Sequence, residues 1–231
     1  MSPEDAVALP RDEWIRIPPR MRDQGERFQR RLRLAWRWLA LPVTLAWLCA
    51  CGTDTPLLNS DRIEQRYGSY GVEIVGSDAQ GRRSNLYSVH DGRRICRTYA
   101  VVRFQPAALA NDDPALREAH AKILEGGSIG ATLRHAGFAV HKAPRVAGAL
   151  PAPATEPGWL SLMGVTTAAG LAVQEYRLSI NNALLNIEYA DIIEVYHPDF
   201  LGPSDLRRMT PGRAVAIPAD VLRALGVRPA P

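Results

Sequence analysis

The chain has 231 residues, 46% of them hydrophobic and 23% charged, with a formal net charge of +4. That excess is local: residues 1–50 hold nine arginines against six acids, while residues 51–231 hold 19 basic and 18 acidic groups. A near-neutral remainder lacks the basic footprint of a nucleic-acid-binding domain, and Cys49, Cys51 and Cys96 have no zinc spacing.

In chain order, an arginine-rich stretch (Arg27, Arg30, Arg31, Arg33, Arg37) precedes thirteen uncharged residues, Trp38 to Ala50. A basic region followed by an apolar run of this length reads as a secretory leader. The run is too short for a spanning helix and carries Pro42. An uncleaved single-pass anchor in the inner membrane is the alternative. Met21 is a more conventional start than Met1, so residues 1–20 read as a start-site artefact.

The junction Leu48-Cys49-Ala50-Cys51 resembles the lipobox of bacterial lipoproteins. The resemblance covers about the first quarter of the chain. It implies a diacylglycerol thioether on Cys51, cleavage between Ala50 and Cys51, and acylation of the new amine. Gly52, where aspartate would signal inner-membrane retention, implies an outer-membrane anchor facing the periplasm. Cys96 is then the one cysteine left, so no intramolecular disulfide is expected.

Residues 51–62 read as a polar tether. Residues 63–147 read as a βββααβ lobe. Its first strand runs Tyr70–Val75, its second Arg82–Val89, and its third Arg93–Phe104 after the turn His90-Asp91-Gly92. On the third strand Cys96, Thr98, Ala100, Val102 and Phe104 share a core face, while Arg97, Tyr99, Val101 and Arg103 share a half-solvated one. Asp113 and Pro114 start a helix carrying Leu116, Ala119, Ile123 and Leu124 at helical spacing. A second short helix covers Ile129 to Ala136, and a fourth strand 138–142.

Residues 148–170 read as an Ala/Pro-rich linker. Residues 171–231 read as a β-hairpin lobe turning at Asn181-Asn182, with short C-terminal helices and a loose tail. The segments Thr98–Pro106 and Glu188–Pro198 both run from a Tyr-Ala pair through an apolar strand to a proline, an internal echo. The expected fold class is α+β, an antiparallel sheet of hairpins with short helices packed on one side.

Two function classes follow. The favoured one is a non-catalytic, lipid-anchored envelope protein that binds or assembles, with envelope proteins or anionic envelope polymers as partners and no nucleic acid. Its binding candidates are Arg97, Tyr99 and Arg103, because arginine forks suit phosphate or carboxylate and tyrosine offers a stacking face. The alternative is a small envelope hydrolase. Gly126-Gly127-Ser128-Ile129-Gly130 matches the nucleophile-elbow pattern, and His141 and His197 each end a predicted strand. The elbow requires a strand before the serine, however, and the preceding segment reads as a helix. No metal or cofactor is implied.

Overall fold

Asp91 and Gly92 both take positive φ, 49° and 73°, which is the two-residue turn that matches strand twist. They join β2 (Gly81–His90) to β3 (Arg93–Phe104), and β1 (Gly71–Asp78) lies antiparallel on β2. The computed structural model describes residues 57–78, 80–213 and 216–230. The leader, Cys51 and the first half of the expected tether lie outside the described residues. Pro56 to the C-terminus forms one unit.

A second meander, β4 (Ala139–Ala149), β5 (Ala172–Asn181) and β6 (Asn186–Tyr196), completes the sheet. Strand order is β1-β2-β3-β6-β5-β4, antiparallel throughout. The two meanders meet along β3 and β6, where Val102 pairs with Ile192 and Thr98 with Tyr196. The two echoed Tyr-Ala segments are therefore the two central strands, paired antiparallel with each other.

This topology corrects the expected lobes. β4 pairs with β5, so it belongs to the second meander rather than closing the first, and the supposed linker is the β4–β5 connection. The fourth strand was expected to end at residue 142, yet β4 continues past Pro144 to Ala149, with a register shift between Pro144 and Val146. An edge strand tolerates proline because its outer N–H has no ladder partner. β6 runs from Asn186 to Tyr196 as one long strand. At the hairpin, Asn182 Oδ1 accepts from the backbone N–H of Leu184 (2.9 Å) and Leu185 (2.8 Å).

Helices cover both faces of the sheet. On one face lie α1 (Asn59–Tyr67), α3 (Pro114–Leu124), α4 (Ile129–His135) and α6 (Pro203–Met209), packed over Ala100, Val102, Tyr176 and Ile192. The short α2 (Pro106–Leu109) follows β3 directly. On the other face α5 (Leu160–Met163) and α7 (Ala219–Ala224) cover Tyr99, Val101, Ile193 and Val195. The half-solvated face expected of β3 is thus a second core. Trp159 closes it by stacking on Tyr99 at 5.2 Å and donating Nε1–H to Leu225 O at 2.8 Å.

The helix start at Asp113 is as read: its carboxylate accepts from Leu116 N at 2.9 Å with Pro114 in the first turn. Leu116, Ala119 and Ile123 are buried and Leu124 is exposed. α1 was not expected, and it takes Asn59 to Arg62 out of the tether. Leu58 is already in the core, and its N–H donates to Asp61 Oδ2. The tail is held rather than loose, since Ala154 N donates to Arg228 O and Ala230 N to Ala152 O.

Candidate functional site: a buried polar cavity and an arginine concavity

Arg97, Tyr99 and Arg103 do not share a surface. Leu86 pairs with Thr98 but Tyr87 with Cys96, so Arg97 is an extra residue in a β-bulge. The bulge turns Arg97 onto the α1 face. There it is buried, donates Nε–H to Ser88 Oγ at 2.9 Å and lies 3.8 Å from the Tyr67 ring centroid. Tyr99 is buried on the opposite face against Trp159. Burial pushes its hydroxyl up, and Arg83 opposes that shift.

Arg103 stays exposed. It joins Arg83 and Arg223, also exposed, in a concavity of about 390 Å³ on the α7 face. The three arginines come from β3, β2 and α7, and among the described residues none forms an ion pair. Asp78 sits on the rim, with its Oδ1 accepting from Gln80 N. Arg223 was not among the sequence candidates. Only the docking of α7 over the sheet brings it to Arg83 and Arg103, 140 and 120 residues away.

Across the sheet, under α1 and α4, lies a cavity of about 50 Å³. Its lining is largely apolar, with polar groups on opposite walls. On one wall Glu194, 3% exposed, accepts from Tyr176 Oη (3.0 Å), Tyr196 Oη (2.7 Å) and Asn59 Nδ2 (3.3 Å). Asn59 also donates to Thr98 Oγ1 at 3.0 Å, so this cluster ties the first helix to the sheet. Burial, then the neighbouring Glu194, pushes both tyrosine hydroxyls well up. Lys142 lies beside this wall with Nζ 4.2 Å from the Tyr176 ring centroid, and burial holds its ammonium below the usual lysine range.

On the other wall Arg82, 4% exposed, donates from its terminal nitrogens to Ile123 O and Gly127 O, capping the end of α3 with a cation. Burial lowers its pKa. Its Nε and the Oγ of fully buried Ser84 have no hydrogen-bond partner among the described residues. Tyr70, beside Ser128, is pushed up to about 12 by burial.

The hydrolase reading does not gain its constellation. Ser128 is the N-cap of α4 and follows α3 through two glycines, where an elbow needs a strand. No histidine lines its cavity. His141 pairs with Ser179, which pairs with Glu188, while His197 follows the far end of β6. Nine residues at about 3.3 Å each separate those positions by about 30 Å, so the two histidines do not meet. His141 bonds Asn181 at 2.9 Å, and His197 Nδ1 accepts from Asp199 N at 3.1 Å. Among the described residues no three His, Cys, Asp or Glu side chains converge as metal ligands, and no helix is long and apolar enough to cross a membrane.

No known family model matches the chain, and no curated protein matches it.

Proposed function

We propose that this chain is a periplasm-facing envelope lipoprotein, anchored in the outer membrane through Cys51, whose folded unit binds an anionic envelope polymer without catalysing a reaction on it. The observation that carries the binding role is the convergence of Arg83, Arg103 and Arg223, from three separate elements, with no carboxylate paired to any of them among the described residues. A guanidinium presents a planar fork of donors that matches phosphate or carboxylate oxygens. Three forks in one concavity favour a ligand with several such groups over a single small ion.

The anchor reading fits the start of the fold. Leu58 is buried, so at most seven residue steps, about 25 Å fully extended, separate it from the lipidated cysteine. Leu57, 43% exposed, and the α1 end of the unit would be held close to the bilayer surface.

The test uses the full lipidated protein in detergent micelles, sedimented with purified peptidoglycan sacculi and, separately, mixed with lipopolysaccharide. Binding to one of these polymers should weaken as salt rises and fall at least tenfold in the Arg103→Glu/Arg223→Glu variant. Co-sedimentation with neither polymer, or equal binding by the variant, would overturn the role.

A further inference from the structure

We infer that the flank of α1 carrying Arg62 and Arg66 docks on the headgroups of anionic phospholipids in the bilayer that holds the anchor, turning the arginine concavity of the opposite face away from the membrane. This docking rests on the lipid-anchor reading of Cys51 and adds an orientation to it.

The two flanks of α1 carry opposite charge. Residues four apart in a helix stand one above the other, and residues two apart face different ways. Arg62 and Arg66 therefore share one flank, while Glu64, two residues from each, faces away from them. Asp61, the other acid of α1, is held at 2.9 Å by Arg134 of α4. Ile63 is fully buried and fixes the helix on the sheet, so the cationic flank keeps its outward direction.

That flank opens into a concavity of about 360 Å³ formed by Arg62, Gln65, Arg66, Phe200 and Leu201. Arg66 spends one terminal nitrogen on Phe200 O at 2.7 Å, and Arg62 Nη1 lies 3.5 Å from Met209 Sδ. Among the described residues neither guanidinium forms an ion pair, so both keep donors for an acceptor outside the protein. Phosphate oxygens match that fork. Met209, 40% exposed, and half-buried Leu201 adjoin the arginines and suit the glycerol and first methylenes below a lipid phosphate. A free phosphate would leave those apolar groups uncovered.

Chain length decides the occupant. Leu57, 43% exposed, follows Cys51 by six residues, a segment that spans at most about 20 Å. From there to Arg66 the chain climbs about 1.5 Å per residue, so the whole flank lies within about 35 Å of the acylated sulfur. A tether this short makes lipid contact intramolecular, at an effective concentration of about millimolar. A basic side chain beside an anionic leaflet favours the bound state about fivefold, and two favour it about 25-fold. Arg83, Arg103 and Arg223 lie across the sheet and stay open to the envelope polymer.

The experiment places one fluorophore on the full lipidated protein in vesicles carrying a headgroup quencher. Cys49 leaves with the leader and Cys51 is acylated. Cys96 is buried, with its thiol pushed up to about 12 by burial, so an introduced cysteine is the one that reacts. Gln65→Cys puts the probe on the α1 flank and Ser77→Cys puts it beside the arginine concavity, both at exposed positions. In vesicles containing phosphatidylglycerol the probe at 65 should be quenched about threefold more than the probe at 77. In phosphatidylcholine alone the two should be alike. High salt or Arg62→Gln/Arg66→Gln should abolish the difference, and Arg62→Lys/Arg66→Lys should keep most of it. Equal quenching at 65 and 77, stronger quenching at 77, or a difference that survives the glutamine variant overturns the docking. The salt arm keeps the test decisive if that variant does not fold. Flotation with the vesicles reads the anchor separately. A protein that does not float overturns the anchor and the docking together, whereas one that floats with equally quenched probes overturns the docking alone.

Discussion

Tyr196→Phe removes one oxygen and little volume, and therefore isolates the contacts of a single hydroxyl. In the native protein Tyr196 Oη sits 2.7 Å from Glu194 Oε2 and 3.0 Å from the Gln174 side-chain amide. The phenol has one proton to share between Glu194 and Gln174 Oε1, and the shorter contact to the charged carboxylate takes it. Among the described residues Glu194 has no ion-pair partner, so its charge is held by hydrogen bonds alone. A hydrogen bond to a charged group contributes about 1.5–3 kcal/mol, and the buried oxygen left behind adds a desolvation penalty. The expected loss is about 2–3 kcal/mol, or about 5–10 °C in Tm for a unit of this size. In a Glu194→Gln background the charge is gone, and the same substitution should remove at most about 1 kcal/mol. Denaturant melts of the four proteins of this cycle give the coupling directly. If Tyr196→Phe lies within about 0.5 kcal/mol of wild type, or the two changes simply add, Glu194 is not held as described.

Stability should fall as pH drops from about 7 to 5. Burial holds His120 and His197 below the ordinary value of 6.5 in the fold. The unfolded chain therefore takes up protons first, and stability is lost below 6.5 until the folded pKa values are reached. A double His120→Gln/His197→Asn variant should flatten this limb in pH-dependent melts, and an unchanged slope would contradict it. Asp113→Ala, which removes the cap on Leu116 N, should lower stability by about 1 kcal/mol in urea titration. Gly81→Ala places a Cβ 2.0 Å from Val102 O, a backbone atom held in the β2–β3 ladder. It should destabilise by about 3 kcal/mol or more, read as a collapse of the melt, and a native-like melt would show that the strands part more easily than the ladder implies.

Local chemistry was legible wherever one residue type decides the backbone. Asp91-Gly92 announces the hairpin because that turn needs positive φ, and Asp113-Pro114 announces α3 because one caps and the other fits the first turn. Alternation located the strands. What escaped depends on pairing across long separations. The bulge that carries Arg97 to the other face is one residue of register, invisible until β3 lies against β2. The second core over Tyr99 is assembled from Trp159, Leu222 and Leu225, scattered through a proline-rich connection and a short helix without helical or strand periodicity. α1 went unseen because its sequence, NSDRIEQRY, offers one fully buried aliphatic residue, Ile63, and reads as polar tether. The candidate site fared likewise: Arg103 survives on an exposed face, but Arg223 and the unmet donors of Arg82 and Ser84 arise only from tertiary packing.

The anchor is the claim on which location and role depend, and trypsin offers a direct measurement because no lysine or arginine lies between Cys51 and Arg62. Mass spectrometry of the protein purified from its native envelope should find the peptide Cys51–Arg62 with a triacylated N-terminal cysteine. A peptide running from Trp38 through Arg62 with a free Cys51 thiol would contradict the account.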